Sequence, residues 1–193
     1  LEGSVFIGGA VIQWLRDELQ LLDHAAHSEE MSLKVENSNG VVIVPAFTGL
    51  GAPYWDMNAR GIITGLSRGS NRNHIVRAAL EGIAFQVYEL LESVSQDLDI
   101  DISNLNVDGG AVANNFLMQF QADILQINID RPKNIESTAL GAGMLAGLGV
   151  GFWKNPSELK EVRKTDKIFY PTMSDDNRIN LLSNWKSAIR KLQ

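Results

Sequence analysis

The sequence predicts an α/β domain, and three observations carry that prediction. Short β-branched runs such as Val41-Val42-Ile43-Val44 and Gln126-Ile127-Asn128-Ile129-Asp130 alternate with longer segments of helical period. Gly-Gly stands twice where a strand-like run gives way to a helical one, at Gly8-Gly9 and Gly109-Gly110, and ligands of such sheets gather at these junctions. No repeat, low-complexity tract or flexible linker divides the 193 residues, so one domain is expected over 1–193.

From the beginning, Ser4-Val5-Phe6-Ile7 reads as a short strand. The helix after Gly8-Gly9 carries Val11, Ile12, Leu15, Leu19 and Leu22 near one face. A polar connection, His24 to Glu30, leads to a helical patch around Met31–Val35, and Asn37-Ser38-Asn39-Gly40 is a turn. The apolar run 41–47 suits a strand buried on both faces. A loop dense in glycine and aromatic residues follows over 48–61, across which Asp56 and Arg60 are expected to pair. Gly61–Leu66 returns as a strand.

Ser70-Asn71-Arg72-Asn73 signals a helix start, and the long helix from about His74 to Leu98 has its stripe on Ile75, Ala79, Ile83, Val87, Leu90, Leu91 and Val94. His74 reads as a surface residue, and Glu81, among small residues, needs an ion pair or cap if it is buried. The run Ala139–Phe152 is too short for the roughly 20 residues that span a bilayer and reads as a buried helix packed closely on a sheet. Glu136-Ser137-Thr138 opens it. A short helix begins at Pro156, Phe169-Tyr170-Pro171 is an extended stop, and the helix Asp175–Leu192 carries a core stripe of Ile179, Leu182, Trp185, Ile189 and Leu192.

The centre of the chain is Leu105-Asn106-Val107-Asp108-Gly109-Gly110-Ala111-Val112-Ala113-Asn114-Asn115, running into the helical segment Phe116–Leu125. Strand, Gly-Gly, helix is a nucleotide-binding layout. A side chain on either glycine would hold a flat base or a phosphate off the backbone, and the helix N-terminus offers N–H groups and partial positive charge. A tight turn with Asn114 as helix cap accounts for the same residues. Gln13 likewise reads either as a surface side chain or as facing whatever Gly9 faces. The full dinucleotide fingerprint is absent, as is a phosphate loop ending Gly-Lys-Ser/Thr.

A formal net charge of −6 argues against a nucleic-acid face, which needs clustered Lys and Arg. With no cysteine, thiol catalysis and thiolate metal sites are excluded, and three scattered histidines do not suggest zinc. The start at Leu1 carries no signal-peptide pattern and suggests a piece of something longer; a cytoplasmic protein fits.

Three segments then carry a resemblance: Ile12-Gln13-Trp14-Leu15-Arg16-Asp17-Glu18, the string Val44–Asp56 (Val-Pro-Ala-Phe-Thr-Gly-Leu-Gly-Ala-Pro-Tyr-Trp-Asp), and Val107–Phe120. With Gly65–Gly69 and His74–Glu81 they resemble the C-terminal domain of the FGGY family of carbohydrate kinases, over essentially the whole chain to Trp185. The Pro45–Asp56 string points to the glycerol-phosphorylating branch rather than to pentulose or hexulose kinases. A non-enzymatic actin-like nucleotide-binding module is the alternative from another class.

The resemblance implies an actin-like ATPase fold of two ribonuclease-H-like domains with the nucleotide between them. This chain would be the nucleotide-side half, lacking that half's first strands. Carried over by position, Gly9, Gln13, Gly110 and Asn114 would contact ATP or ADP. No residue here is implied to be catalytic or to ligate a metal, since Mg2+ would be held through the phosphates and by residues outside this chain. Glycerol would be bound by the N-terminal half, so the chain alone is expected to be inactive. No nucleic acid and no membrane span are implied; a homo-oligomer is. An unpaired sheet edge and an exposed apolar face are expected, with self-association or reduced stability. The tail Pro171–Arg178 is more polar and acidic than the surface that serves a regulatory protein in some bacterial members, which puts binding of such a regulator in doubt.

Overall fold

The long helix α3 (Arg72–Leu98) organises the domain, and its start is fixed locally. Asn71 is the cap: its Oδ1 accepts from Asn73 N at 2.9 Å, while its own N–H donates to His74 Nδ1 at 3.1 Å. His74 is therefore half of a reciprocal capping pair rather than a bare surface residue. The first half of α3 is buried nearly all round, from Val76 to Phe85, because elements close on it from several sides. Strand β1 (Val42–Val44) presses so near that a Cβ on Gly82 would lie 2.5 Å from the carbonyl oxygen of Ile43.

Glu81 is buried in that half and finds the ion pair it needs in Arg77, at 2.9 Å. Arg77 also donates to the carbonyls of Ser32 (3.2 Å) and Val35 (2.7 Å), holding the end of α2 (His27–Leu33) against α3. Burial pushes the Glu81 carboxyl above its ordinary value, and Arg77 opposes the shift.

The computed structural model describes residues 2–192. Around α3, and in order, lie α1 (Ala10–Asp17), α2, β1, β2 (Ile62–Thr64), β3 (Asn104–Asn106), α4 (Asn115–Leu125), β4 (Asn128–Pro132), α5 (Ser137–Gly149), β5 (Thr165–Phe169) and α6 (Asp175–Ile189). The predicted mixture of helix and strand is observed. Strands β1 and β2 pair antiparallel with Ile43 opposite Ile63. A second sheet has the order β3-β4-β5: β3 and β4 run parallel, joined by α4, and β4 and β5 run antiparallel. Strand β3 stands at one edge of this sheet. No helix among the described residues is long and apolar enough to cross a membrane.

Several expectations are corrected. Residues 4–7 form bends and irregular chain rather than a strand, although the carbonyl of Ile7 is held by the side-chain amide of Gln86 at 3.1 Å. Helix α1 ends at Asp17, so Leu19 and Leu22 lie beyond it and part company: Leu19 is exposed and Leu22 buried. Asp56 and Arg60 do not pair. Asp56 Oδ1 instead accepts from the N–H groups of Asn58 (2.8 Å) and Ala59 (3.2 Å), closing a local turn, and Arg60 donates to the carbonyls of Met57 and Ala59.

The loop they stiffen is tied to α3 elsewhere, where the Tyr54 hydroxyl donates to the buried Glu89 carboxylate. In α6, Leu182, Trp185 and Ile189 are buried as predicted but Ile179 is exposed. The largest correction is α5: no residue of this apolar helix is buried, and Leu145 is 71% exposed. Apolar composition states a demand for cover; it does not supply the surface that provides it.

Candidate functional site

The two Gly-Gly turns, a hundred residues apart in sequence, meet in space. A Cβ built on Gly9 would lie 3.8 Å from the Cβ of Ala111. Between them opens a cleft of about 640 Å³ whose walls include Gly9, Gln13, Gly110 and Asn114, all four of the residues singled out from the sequence. Its floor is apolar, with Ile12, Leu80, Ile83 and Leu117.

Neighbouring glycines in the central turn have different reasons to be glycine. Gly109 has φ +84°, in the region that side chains avoid, and its N–H donates to the Ile135 carbonyl at 2.8 Å. Backbone geometry demands it. Gly110 does not have positive φ, and a Cβ there would meet nothing within 4 Å. Neither strain nor packing calls for glycine at 110; a side chain would only take up space in the cleft. Gly9 is similar, since its nearest contact would be the ordinary one to Ala111.

Asn114 caps α4 and lines the cleft at once. Its Oδ1 accepts from Leu117 N at 2.9 Å, and its Nδ2 donates to Ser28 Oγ at 3.2 Å, which in turn donates to the carbonyl of Ala25 at 2.6 Å. An amide nitrogen carries two hydrogens, so one is directed elsewhere. The α4 N-terminus is not open as the sequence suggested. Glu29 from α2 occupies it, taking the Asn115 backbone N–H at 2.7 Å on Oε2 and the Asn115 side-chain amide at 3.0 Å on Oε1. A carboxylate at a helix N-terminus satisfies the same donors and dipole that a phosphate would.

Charge follows the same line. Glu29 and Asp108 lie on the cleft wall, and no Lys or Arg is among its described lining residues. Such a cleft suits the uncharged end of a ligand, with a flat ring against Ile12, Leu80 and Ile83 and polar edges toward Gln13 and Asn114. Ser28 and Glu29 were missed in the sequence, where His24–Glu30 reads as polar connection. Only the fold brings that segment to Asn114 and Asn115, and no local pattern signals it.

Residues 1–150 match the C-terminal domain of the FGGY family of carbohydrate kinases. The chain belongs to that family. Among FGGY relatives, the glycerol kinase of Caldanaerobacter subterraneus subsp. tengcongensis is 58% identical over 191 residues, covering 99% of this chain and 38% of the relative. The glycerol kinase of Shewanella woodyi is 56% identical over 189 residues, covering 98% of this chain and 38% of the relative. A crystal structure of Plasmodium falciparum glycerol kinase with ADP superposes with a TM-score of 0.85 and 39% identity, over 95% of this chain and 37% of that one. A ligand-bound xylulose kinase from Lactobacillus acidophilus follows at 0.79 and 26%, over 98% and 39%. The fold is thus the actin-like ATPase fold of FGGY kinases, and this chain matches its C-terminal part. The chain spans about 38% of the length of the curated relatives it matches.

Proposed function

We propose that the whole protein transfers the γ-phosphoryl group of MgATP to glycerol, giving sn-glycerol 3-phosphate, and that residues 1–193 act as one domain forming the adenine and ribose side of the ATP site. The observation that carries the reading is the cleft between Gly9 and Gly110, where glycine is required by neither backbone strain nor packing. The Pro45–Asp56 string and the glycerol kinases among the relatives support the choice of substrate.

Within this reading the apolar floor binds the base, and Gln13 and Asn114 orient its polar edge or the ribose. The acidic wall keeps the triphosphate directed away, toward the other half of the protein. Phosphoryl transfer depends on positioning and on charge neutralisation by a metal on the phosphates. Among the described residues, no group of three or more His, Cys, Asp or Glu is placed to hold a metal ion. By the family resemblance, magnesium is assigned to the phosphates and to residues outside this chain, and glycerol to the N-terminal half, so that these residues alone turn nothing over. The intact enzyme is expected to be cytoplasmic and homo-oligomeric.

Calorimetric titration with MgADP tests the site, using the parent beside Gly110→Val and Asn114→Ala variants whose folding is checked by circular dichroism. Both variants should bind roughly tenfold more weakly or worse, the valine by filling the cleft and the alanine by removing both the amide and the α4 cap. Unchanged affinity in a folded Gly110→Val protein would sink the placement of the nucleotide.

A further inference from the structure

The turn that carries Gly110 and Asn114 is held from behind by one side chain. Arg131, on β4, is only 13% exposed and reaches the turn through a single nitrogen. Its Nη1 donates to the carbonyls of Val112 (3.1 Å) and Ala113 (3.4 Å) and to Asn115 Oδ1 (3.1 Å). These carbonyls end the 3₁₀ turn Gly110–Ala113, where helical carbonyls lack N–H partners of their own.

The guanidinium is held from its other side as well. Asp166 on β5 takes both Arg131 Nε (3.0 Å) and Nη2 (2.8 Å) on one oxygen, and the guanidinium carbon sits 5.3 Å from the centre of the buried Phe169 ring. From the opposite side Glu29 holds Asn115 by its backbone and side-chain N–H groups. Asn115 is therefore gripped between an anion and a cation, and the residue before it is Asn114.

We propose that Arg131, clamped by Asp166, is the positioning residue of the nucleotide turn: it touches no ligand and sets the place of Gly110 and Asn114. The proposal rests on the assignment of the nucleotide to this cleft. Its physical content is that the 3₁₀ turn is too short to fix its own end, so a planar cation with several donors fixes it from the antiparallel β4–β5 pair. Lysine, a single point of charge, reaches the carbonyls without the Asp166 fork. The arrangement also makes β5, which holds no residue of the cleft, part of what determines affinity.

The experiment uses the full-length protein and reads the KM for ATP, the Kd for MgADP, kcat and the thermal midpoint. Arg131→Ala should raise KM and Kd together by roughly ten- to a hundredfold, as displaced support for a binding group does, while kcat at saturation falls less than about threefold. Arg131→Lys should recover part of the loss, and Asp166→Asn should lie between. In the double variant Arg131→Ala/Asp166→Asn the second change should add nothing, because the two act through one contact.

Gly110→Val serves as the reference. If it weakens MgADP binding while Arg131→Ala leaves Kd and KM unchanged in a folded protein, the positioning role is wrong and the site stands. If Gly110→Val itself has no effect, the site assignment has failed first. Equal loss in thermal midpoint and in kcat for Arg131→Ala, without the rise in KM and without rescue by lysine, would reduce Arg131 to a structural residue and overturn the proposal.

Discussion

Helices α3 and α5 read alike in sequence over their small-residue stretches and end in opposite situations. Ala78-Ala79-Leu80-Glu81-Gly82-Ile83-Ala84-Phe85 is buried throughout, charge included, whereas no residue of Ser137–Gly149 is buried. The glycines report the difference directly. At Gly82 a Cβ would collide with the Ile43 carbonyl at 2.5 Å, while at Gly141 and Gly143 it would meet nothing within 4 Å. Gly147 is the exception on α5, since Trp153 lies 2.3 Å from where its Cβ would be. Composition alone therefore says that a helix can be packed closely, and the neighbours decide whether it is.

The contrast can be broken hardest at Arg77. Arg77→Ala should cost about 3–5 kcal/mol, because it strands the buried Glu81 carboxylate and frees the carbonyls of Ser32 in α2 and of Val35 just beyond it. Urea unfolding of the parent, the single variant and Arg77→Leu/Glu81→Leu would measure it. The double variant should recover much of the loss; if it does not, the pair matters for more than mutual neutralisation.

A matched pair of glycine substitutions sharpens the comparison. Gly82→Ala should destabilise by about 1–3 kcal/mol through overpacking against β1. Gly143→Ala, in an open helix interior, should stabilise by about 0.5–1 kcal/mol. Thermal or denaturant midpoints of opposite sign are the expected result, and destabilisation by both would mean that α5 is covered in solution.

The smallest effect concerns pH. Burial raises the Glu89 carboxyl above its ordinary value, against the hydrogen bond it accepts from Tyr54. The native state then holds that proton more tightly than the unfolded chain does. Its contribution to stability is greatest at low pH and falls as pH rises from the ordinary carboxylate range through the folded value. Glu89→Gln should flatten that slope, so its thermal midpoint should gain on the parent as pH rises above the ordinary carboxylate range; parallel curves would refute the assignment.

Much of the fold was legible because its signals are local. The helix-start signal Ser70–Asn73, the apolar β-branched run at 41–47, and Gly109-Gly110 before a helical period each dictate nearby backbone without outside help. The candidate site was legible in part for the same reason: each Gly-Gly marks a turn at a helix mouth, and family resemblance promoted Gly9, Gln13, Gly110 and Asn114 together. What was misread turned on which partner a polar group finds, nearer or farther along the chain than expected. Asp56 and Arg60 prefer backbone groups a few residues away to each other, and the donors of the α4 N-terminus go to Glu29, which no spacing rule connects to Asn115.

By itself the sequence determined an α/β chain, the positions of its principal turns and helices, and the family to which it belongs. Periodicity, capping and φ preferences act over a few residues, and these are written in order along the chain. Only the tertiary structure decided that the two glycine turns face each other across one cleft, that Glu29 closes a helix end, that Arg131 braces the turn behind it, and that α5 lies bare. Those are contacts across tens of residues, set by how whole elements fill space against one another, and no local preference encodes them.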